Sequence, residues 1–425
     1  MNLDRRHFLH SSLVLGSSAG LAGLTALGGL SGLVGPTGQA LAAPMFADNP
    51  TFQPRALMAT WQRDPTTTMT LQWLGTSKED GLSRNLWYRR SGDDAWLEVP
   101  HTARPFPQTE LWQFRAELTG LAPDTTYRIR IGLDSPQASI RTMPAKATSE
   151  ITFISGGDSG TGSASRRTNK LAALQSPRFV LLGGDLAYEN GKSADTFLKF
   201  LDHYAADLRD DKGHLIPLVA CLGNHEVDGA YDKPREKAPF FYAMFDGLYT
   251  DTGYATLDFG DYLSLVLLDS GHTSKVVGDQ TDWLLRTLKE REERPNLFVA
   301  NHVPMYPCVR SANGSLNEAM REHWSPLLER YNVDAVLEHH DHAFKRTHRL
   351  LDGLIDERGI PYLGDGSWGQ IRNPEGPDKR PFLAKSTQSY HLSLHRIEGP
   401  DRYHLALSDL GKVVDILHTR KLART

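Results

Sequence analysis

The chain has 425 residues, of which 40% are hydrophobic and 23% are charged, and its formal net charge is −4. This length favours two domains over one, and the composition is that of a globular protein. The slightly acidic balance argues against a surface that coats nucleic acid, so an anionic ligand would need positive charge supplied locally.

The first 43 residues are typical of a bacterial export signal. Arg5 and Arg6 precede an uncharged run rich in Gly, Ala and Leu, which ends in Ala-Leu-Ala at residues 40–42. These features predict a cleaved twin-arginine signal peptide over residues 1–43 rather than a transmembrane anchor. We therefore expect the export machinery as a transient partner, a periplasmic or secreted location and no permanent membrane anchor.

Residues 44–145 are predicted to form an all-β domain. Met69–Trp73 and Tyr127–Ile131 alternate apolar and polar side chains, and turns rich in Gly, Asp and Pro separate such runs. The run Leu118–Tyr127 resembles the tyrosine corner of fibronectin type III sandwiches. Because no cluster of titratable residues occurs here, we predict a supporting or docking domain, with carbohydrate or surface binding as the alternative.

Strands, loops and helices alternate in the predicted second domain, residues 150–425, which indicates an α/β fold. Helical periodicity predicts helices over Ser193–Leu208, Gln280–Arg291 and Asn317–Tyr331. Residues 228–250 are predicted to form a long loop with clustered aromatic side chains. Such a loop either packs on the surface or forms a rim over a functional site.

Several apolar runs of this domain end in side chains that can bind a metal ion. These side chains are Asp158, Asp185, Tyr188, Asn224, His302, His340 and His342. An open α/β sheet places its chemistry at the carboxyl ends of its strands. An unpaired buried carboxylate is costly, so a metal ion is the expected partner. Two ions about 3.5–4 Å apart need one bridging carboxylate, and imidazole, carboxylate and amide oxygen suit the other positions.

The chain resembles the purple acid phosphatase branch of the calcineurin-like metallophosphoesterases in five ordered motifs. They are Gly157-Asp-Ser-Gly160, Gly184-Asp-Leu-Ala-Tyr188, Gly223-Asn-His-Glu226, Val299-Ala-Asn-His302 and His340-Asp-His342. The resemblance covers residues 151–397. It implies a two-sheet αββα metallophosphoesterase sandwich behind the all-β sandwich. It also implies an exported phosphatase that hydrolyses small phosphate monoesters by attack of a metal-bound hydroxide.

By position, the resemblance assigns Asp158, Asp185, Tyr188 and His342 to one metal ion, and Asp185, Asn224, His302 and His340 to the other. A Tyr188 phenolate implies Fe(III) at the first site, with Fe, Zn or Mn at the second; the alternative is a tyrosine packed at a strand end. His225 is implied to be catalytic, as a group that binds the phosphoryl oxygens or protonates the leaving alcohol. Glu226 and Asp341 are predicted to orient ligand histidines.

Two candidate substrate-binding residues depart from the family pattern. His339 stands where the family has glycine, and is either a further nitrogen near the metals or a packed imidazole. Arg310 lies in a loop that lacks the histidine pair of the plant members, and is either a phosphate clamp or a surface arginine. The sequence leaves open whether Cys221 and Cys308 form a disulfide.

The resemblance leaves two alternatives to a phosphate monoesterase. One is an exported phosphodiesterase or nucleotide hydrolase with the same metal site. The other is a non-catalytic binding protein. Neither the natural substrate nor the oligomeric state follows from the sequence.

Overall fold

The structure is a computed structural model that describes residues 54–76, 85–132 and 135–421. The predicted leader, residues 1–43, lies outside the described residues. These described residues belong to one compact unit. Within the described ranges, no helix is both long and apolar enough to cross a membrane.

Eight strands in the described residues build the N-terminal all-β part. They are β1 (Arg55–Thr60), β2 (Met69–Gly75), β3 (Leu86–Arg90), β4 (Leu97–Val99), β5 (Thr102–Pro105), β6 (Trp112–Leu118), β7 (Thr126–Ile131) and β8 (Ala138–Arg141). They form two sheets with the orders β1-β2-β6-β5 and β4-β3-β7-β8. Ala122 N donates to Tyr127 Oη at 2.8 Å, a bond of the kind found in a tyrosine corner. The predicted all-β sandwich is confirmed.

The α/β part carries the remaining described strands. They are β9 (Ile151–Gly156), β10 (Val180–Leu182), β11 (Leu218–Ala220), β12 (Ala255–Phe259), β13 (Leu263–Leu267), β14 (Asn296–Asn301), β15 (Ala335–Glu338), β16 (Phe344–Thr347), β17 (Leu350–Leu351), β18 (Leu354–Ile355), β19 (Tyr362–Asp365), β20 (Leu383–Thr387), β21 (His391–Glu398), β22 (Asp401–Ser408) and β23 (Val413–Arg420). One sheet has the order β11-β10-β9-β21-β22-β23 and the other β12-β13-β14-β15-β19-β16-β20, while β17 and β18 form a separate hairpin. Strands β9 to β11 run parallel, as do β13, β14, β15 and β19.

Helices cover the two sheets. They are α1 (Ser163–Leu174), α2 (Ala194–Asp207), α3 (Pro239–Phe245), α4 (Asp279–Glu290), α5 (Ser315–His323) and α6 (Ser325–Arg330), with 3-10 turns at Asn224–Glu226 and Arg235–Lys237. Phe153 of β9 meets Phe298 of β14 with ring centroids 5.6 Å apart, so the sheets face each other. Leu284 of α4, Leu328 of α6 and Trp324, which lies between α5 and α6, share one buried cluster with β14. The predicted α/β fold is confirmed.

The predicted helices correspond closely to α2 and α4, but two other predictions need correction. The helix expected over Asn317–Tyr331 is divided into α5 and α6, because Trp324 ends α5 and Pro326 occupies the first turn of α6. Residues 228–250 are not one loop. Pro239 begins α3 within them, and the aromatic side chains of α3 are buried. The loop prediction is therefore wrong for this part.

Aromatic and polar contacts join the sandwich to the α/β part. The Trp61 ring lies edge-on to Phe179 and Phe259, with centroids 6.0 and 5.7 Å away. Thr60 Oγ1 donates to the Leu218 carbonyl of β11 at 2.7 Å. Because these side chains are buried, the sandwich shares a core with the sheet that carries β11.

A second set of contacts joins the sandwich to the segment around α3. Arg104 and Arg115 pair with Asp246 at 2.6 and 2.5 Å. Gln72 Nε2 donates to the Met244 carbonyl at 2.7 Å. These polar groups are thus satisfied by the protein itself. A supporting role for the sandwich stays a prediction.

Candidate metal centre

The carboxyl ends of the parallel strands bring the predicted ligands to one edge of the molecule. Asp158 follows β9 and Asp185 follows β10, while Asn224 begins the turn after β11. His302 and His340 follow β14 and β15 of the other sheet. Both sheets therefore supply side chains to one place, as an open α/β sheet predicts.

Five of the predicted ligands have a left-handed backbone. Their φ angles are +58° at Asp158, +53° at Asp185, +66° at Tyr188, +70° at His340 and +57° at His342. Non-glycine residues seldom adopt this conformation, which costs about 1–3 kcal/mol each and concentrates at functional sites. The fold thus accepts strain where these side chains meet.

Four buried residues form the centre of the site. Asp158, Asp185, His302 and His340 each present one ligand atom, and these atoms lie within 4.8 Å of one another. Asp185 Oδ2 is buried and makes no hydrogen bond to any described residue. An unpartnered buried carboxylate oxygen is costly, so this arrangement suits a metal ion.

Tyr188 and His342 extend the cluster on one side. Tyr188 Oη lies 3.2 Å from Asp158 Oδ1 and 3.0 Å from His342 Nε2. His342 Nε2 is also 3.0 Å from Asp158 Oδ1. Burial raises the pKa of the Tyr188 phenol well above its ordinary value, and the charges of Asp158 and Asp185 raise it further. A phenolate here therefore needs a cation beside it.

Asn224 extends the cluster on the other side. His302 Nδ1 donates to the Gly183 carbonyl at 2.8 Å, which directs Nε2 towards the cluster. That Nε2 lies 3.1 Å from Asn224 Oδ1 and 3.3 Å from Asp185 Oδ1. His340 Nδ1 is 3.0 Å from the same Nε2. Two imidazole nitrogens at this distance need a proton or a cation near them, which again fits a metal site.

The charges within the cluster compensate one another. Burial alone would raise the pKa of the Asp185 carboxyl, but His302, His225 and His340 hold that pKa below its ordinary value. Burial would lower the pKa of His302, but Asp185 outweighs it and raises the pKa to about 9. Burial, reinforced by His302, lowers the pKa of His340 well below its ordinary value. Asp185 is therefore ionised and is available as a ligand.

The chemistry of the donor set fits two metal ions. Carboxylate, imidazole, amide oxygen and phenol oxygen are suitable ligands for iron, zinc and manganese. Asp158 contacts Tyr188, and Asn224 contacts His302. Asp185 belongs to the central group that contains both Asp158 and His302. The structure brings all the predicted ligands together. Their division between two ions stays a prediction.

His225 lies beside the cluster without being part of it. Its Nδ1 donates to Asn190 Oδ1 at 2.5 Å, so Nε2 points towards Asp185 Oδ2, 4.0 Å away. The ring also lies against that of Tyr188, with centroids 4.4 Å apart and planes tilted at 40°. The His225 side chain is 35% exposed, whereas that of Asp185 is 1% exposed. This accessibility suits a group that meets a ligand arriving from solvent.

Glu226 and Asp341 orient loops rather than ligand histidines. Glu226 accepts hydrogen bonds from the backbone N–H groups of Asp185, Leu186 and Gly223. Asp341 accepts them from Cys308, Val309 and Arg310. In the described structure, neither carboxylate bonds to a ligand imidazole, so the predicted role is wrong. Each instead holds a backbone turn beside the cluster.

The two departures from the family pattern occupy different places. Arg310 Nη1 donates to the His340 carbonyl and lies 3.3 Å from Asp341 Oδ1, beside the cluster. His339 is only 1% exposed, and its Nδ1 donates to the Asn301 carbonyl at 2.9 Å. A Cβ at Gly183 would lie 1.9 Å from the His339 ring. His339 is thus a packed imidazole that occupies the space above a glycine, a position unsuited to binding substrate.

Sequence reasoning missed two neighbours of the cluster. The His272 ring lies 5.6 Å from the His302 ring, measured between centroids. The Tyr231 ring stacks on the His272 ring, with centroids 4.9 Å apart. Burial lowers the pKa of His272 to about 3, so the ring is neutral. His272 comes shortly after β13, so the strand-end pattern used for the ligands could have found it. No local signal marks Tyr231.

The two cysteines do not form a disulfide. Cys221 and Cys308 are both free and buried. Burial raises the pKa of both thiols above the ordinary value, so neither is a reactive thiolate.

Comparisons with known proteins agree with this geometry. The family model of the calcineurin-like phosphoesterases matches residues 157–344, and that of the purple acid phosphatase N-terminal domain matches residues 54–148. The chain is 27% identical to purple acid phosphatase 15 of Arabidopsis thaliana, over 62% of this chain and 56% of the relative. It is 29% identical to purple acid phosphatase 18 of the same plant, over 60% and 57%. It thus spans little more than half the length of these curated relatives.

The fold is also similar to that of a solved structure. Purple acid phosphatase PPD1 from yellow lupin (Lupinus luteus) seeds matches with a TM-score of 0.71 at 14% identity, covering 86% of this chain and 74% of that one. At this identity the likeness concerns the fold alone. The two family models, over residues 54–148 and 157–344, and the curated relatives show that the chain belongs to the calcineurin-like metallophosphoesterases as a purple acid phosphatase-like member.

Proposed function

We propose that the chain is an exported binuclear-metal phosphatase that hydrolyses phosphate monoesters. The proposal rests above all on Asp185, which lies in one group with Asp158, His302 and His340. Its Oδ2 is buried and has no hydrogen-bond partner in the described part of the chain. A carboxylate in this position suits a bridge between two cations. The phosphatase names of the curated relatives support the same activity.

Two sets of side chains would hold the ions. Asp158, Tyr188, His342 and Asp185 would bind Fe(III), because a phenolate favours a ferric ion. Asn224, His302, His340 and Asp185 would bind Fe, Zn or Mn. When bound, the ions supply an acidified water and neutralise charge on the phosphate oxygens.

His225 would be the catalytic residue that acts on the substrate. Asn190 Oδ1 accepts from Nδ1 and fixes the ring, and burial lowers the pKa of His225. Below that pKa, Nε2 of the protonated imidazole would donate towards the phosphoryl oxygens or the leaving alcohol. Glu226 would act indirectly, because it holds the backbone N–H groups of Asp185 and Leu186 and so positions the bridging carboxylate. Arg310 would add positive charge at the edge of the site, where a phosphate arrives.

The proposed location follows from the leader. Arg5 and Arg6, with the apolar run behind them, would direct the folded protein through the twin-arginine machinery to the periplasm or the medium. Replacement of both by lysine, Arg5→Lys with Arg6→Lys, is expected to leave uncleaved protein in the cytoplasm, measured by cell fractionation. Unchanged export of this variant would contradict the proposal.

The activity is tested with a matched pair of esters. We expect the metal-loaded protein to hydrolyse 4-nitrophenyl phosphate much faster than bis(4-nitrophenyl) phosphate. Asp185→Asn should lose this activity, whereas Asp246→Asn, at a carboxylate remote from the cluster, should keep it. A preference for the diester would favour a phosphodiesterase or nucleotide hydrolase. Rates equal to those of Asp185→Asn for both esters would indicate a non-catalytic binding protein.

A further inference from the structure

A cavity of about 400 Å³ adjoins the metal cluster at His340. Tyr231, Val303, Leu316 and Arg310 are among the residues that line it. Its volume lies within the range of about 300–1,000 Å³ that is usual for small-molecule sites. Because His340 belongs to both the cluster and the cavity wall, a phosphate held at the cluster can extend its organic group into this space.

Segments distant in sequence form the walls. Lys233 N donates to the His272 carbonyl at 2.9 Å, which fixes the segment carrying Tyr231 against the turn after β13. The Tyr231 ring stacks on His272 with centroids 4.9 Å apart and planes at 29°. Leu316, in the first turn of α5, lies against Gly271, where an added Cβ would be 3.2 Å from Leu316 Cδ1. The walls are therefore held in place before any ligand binds.

Several polar groups at the cavity are engaged by the protein itself. Arg310 Nη1 donates to the His340 carbonyl, and Asn317 Nδ2 donates to the Pro304 carbonyl at 2.6 Å. The apolar walls therefore suit a hydrocarbon group of a ligand, while the positive charge of Arg310 lies near the cluster. Tyr231 is close enough to that charged region for Asp185 and Arg310 to influence its pKa, which burial raises to about 12.

We infer that this cavity binds the organic group of the phosphate ester and selects an aromatic one, with Tyr231 and Leu316 as the specificity-determining residues. This inference rests on the proposed function. Tyr231 is 36% exposed, so its ring is accessible to a second ring, and aliphatic side chains complete the walls. An aromatic pair favours binding by roughly 2-fold to 10-fold beyond the burial of its surface.

The first test measures how substitutions change kcat/KM for two monoesters, phenyl phosphate and ethyl phosphate, with metal-loaded protein. Tyr231→Ala should lower the value for phenyl phosphate by about tenfold and that for ethyl phosphate by less than about twofold. Leu316→Ala should act in the same direction, and Tyr231→Phe should keep the preference because it keeps the ring. Leu354→Ala serves as control, since Leu354 is 71% exposed and lies outside the cavity.

The second test measures binding without turnover. Titration calorimetry should show that the metal-loaded protein binds phenylphosphonate about tenfold more tightly than ethylphosphonate, and that Tyr231→Ala removes this difference. Equal affinities in the wild type, no binding of either phosphonate, or a preference that survives Tyr231→Ala would overturn the inference. If neither ester is hydrolysed, the proposed function fails, and the phosphonate titration still decides about the cavity.

Discussion

Two polar regions of the molecule differ in how their polar groups are satisfied. Where the sandwich meets the α/β part, Asp246 is paired with two arginines and Thr60 bonds to a strand carbonyl. At the cluster, Asp185 Oδ2 has no hydrogen-bond partner among the described residues, and ring nitrogens of His302 and His340 face each other. Native proteins satisfy nearly all buried polar groups. The first region is therefore complete as folded, whereas the second calls for a ligand.

The largest expected effect is at the completed region. Trp61→Ala removes a fully buried ring between Phe179 and Phe259 and should lower the free energy of unfolding by about 3–5 kcal/mol. Urea denaturation measures this, with Leu97→Ala, at a 54% exposed side chain, as control. The number of metal ions bound per folded chain should not change. A loss below about 1 kcal/mol would show that the Trp61 contact does not join the sandwich tightly to the α/β part.

The next effect belongs to the cluster. Metal ions at about a hundred times their dissociation constant should stabilise the wild type by about 2.7 kcal/mol, and chelation should remove this gain. Thermal unfolding with and without chelator measures it. Asp185→Asn should lose most of the gain and Asp246→Asn should keep it. An equal loss in both variants would break the distinction between the two regions.

A smaller effect concerns Tyr188. Tyr188→Phe should weaken metal binding by roughly tenfold to hundredfold, because it removes the proposed oxygen ligand but leaves the ring that lies against His225. With iron bound, the visible absorption expected of a phenolate–ferric pair should disappear, measured by absorption spectroscopy alongside metal content. If the absorption persisted in the variant, another residue would have to supply the phenolate.

The smallest effect is the pH dependence of the completed region. Burial would raise the pKa of Asp246, but Arg104 and Arg115 outweigh it and lower that pKa. The pair therefore stabilises the fold above the ordinary carboxyl pKa, and this stability is lost as the pH falls through the lowered pKa. Asp246→Asn should cost about 1 kcal/mol at pH 6, and the difference from wild type should shrink near pH 3. Denaturant unfolding that gave the same difference at both pH values would contradict this assignment.

The sequence predicts the positions of the ligands better than the surroundings of the site. Asp158, Asp185 and His302 lie within a few residues of the ends of apolar runs, so a local pattern marks them. Tyr231 reaches the cavity because its segment bonds to a turn some 40 residues later, as the Lys233–His272 hydrogen bond shows, and no local pattern encodes that contact.

Some elements escaped prediction because local patterns are ambiguous. The segment Pro239–Phe245 is apolar at almost every position, so it lacks the helical alternation, and burial on both sides decides its conformation. Helix α1 buries only small and polar side chains, so its buried face lacks the large apolar residues that would signal a helix. His339 has the residue type of a ligand, yet the glycines beside it leave a space that its ring fills.

The contact between Thr60 and Leu218 has a further consequence for handling the protein. Strand β11 is the outermost strand of its sheet, and Thr60 of β1 in the sandwich bonds to one of its backbone carbonyls. An uncovered outer strand offers free backbone groups to other chains and promotes aggregation. We therefore expect a fragment that begins after residue 145 to self-associate, detectable by light scattering, rather than to remain monomeric.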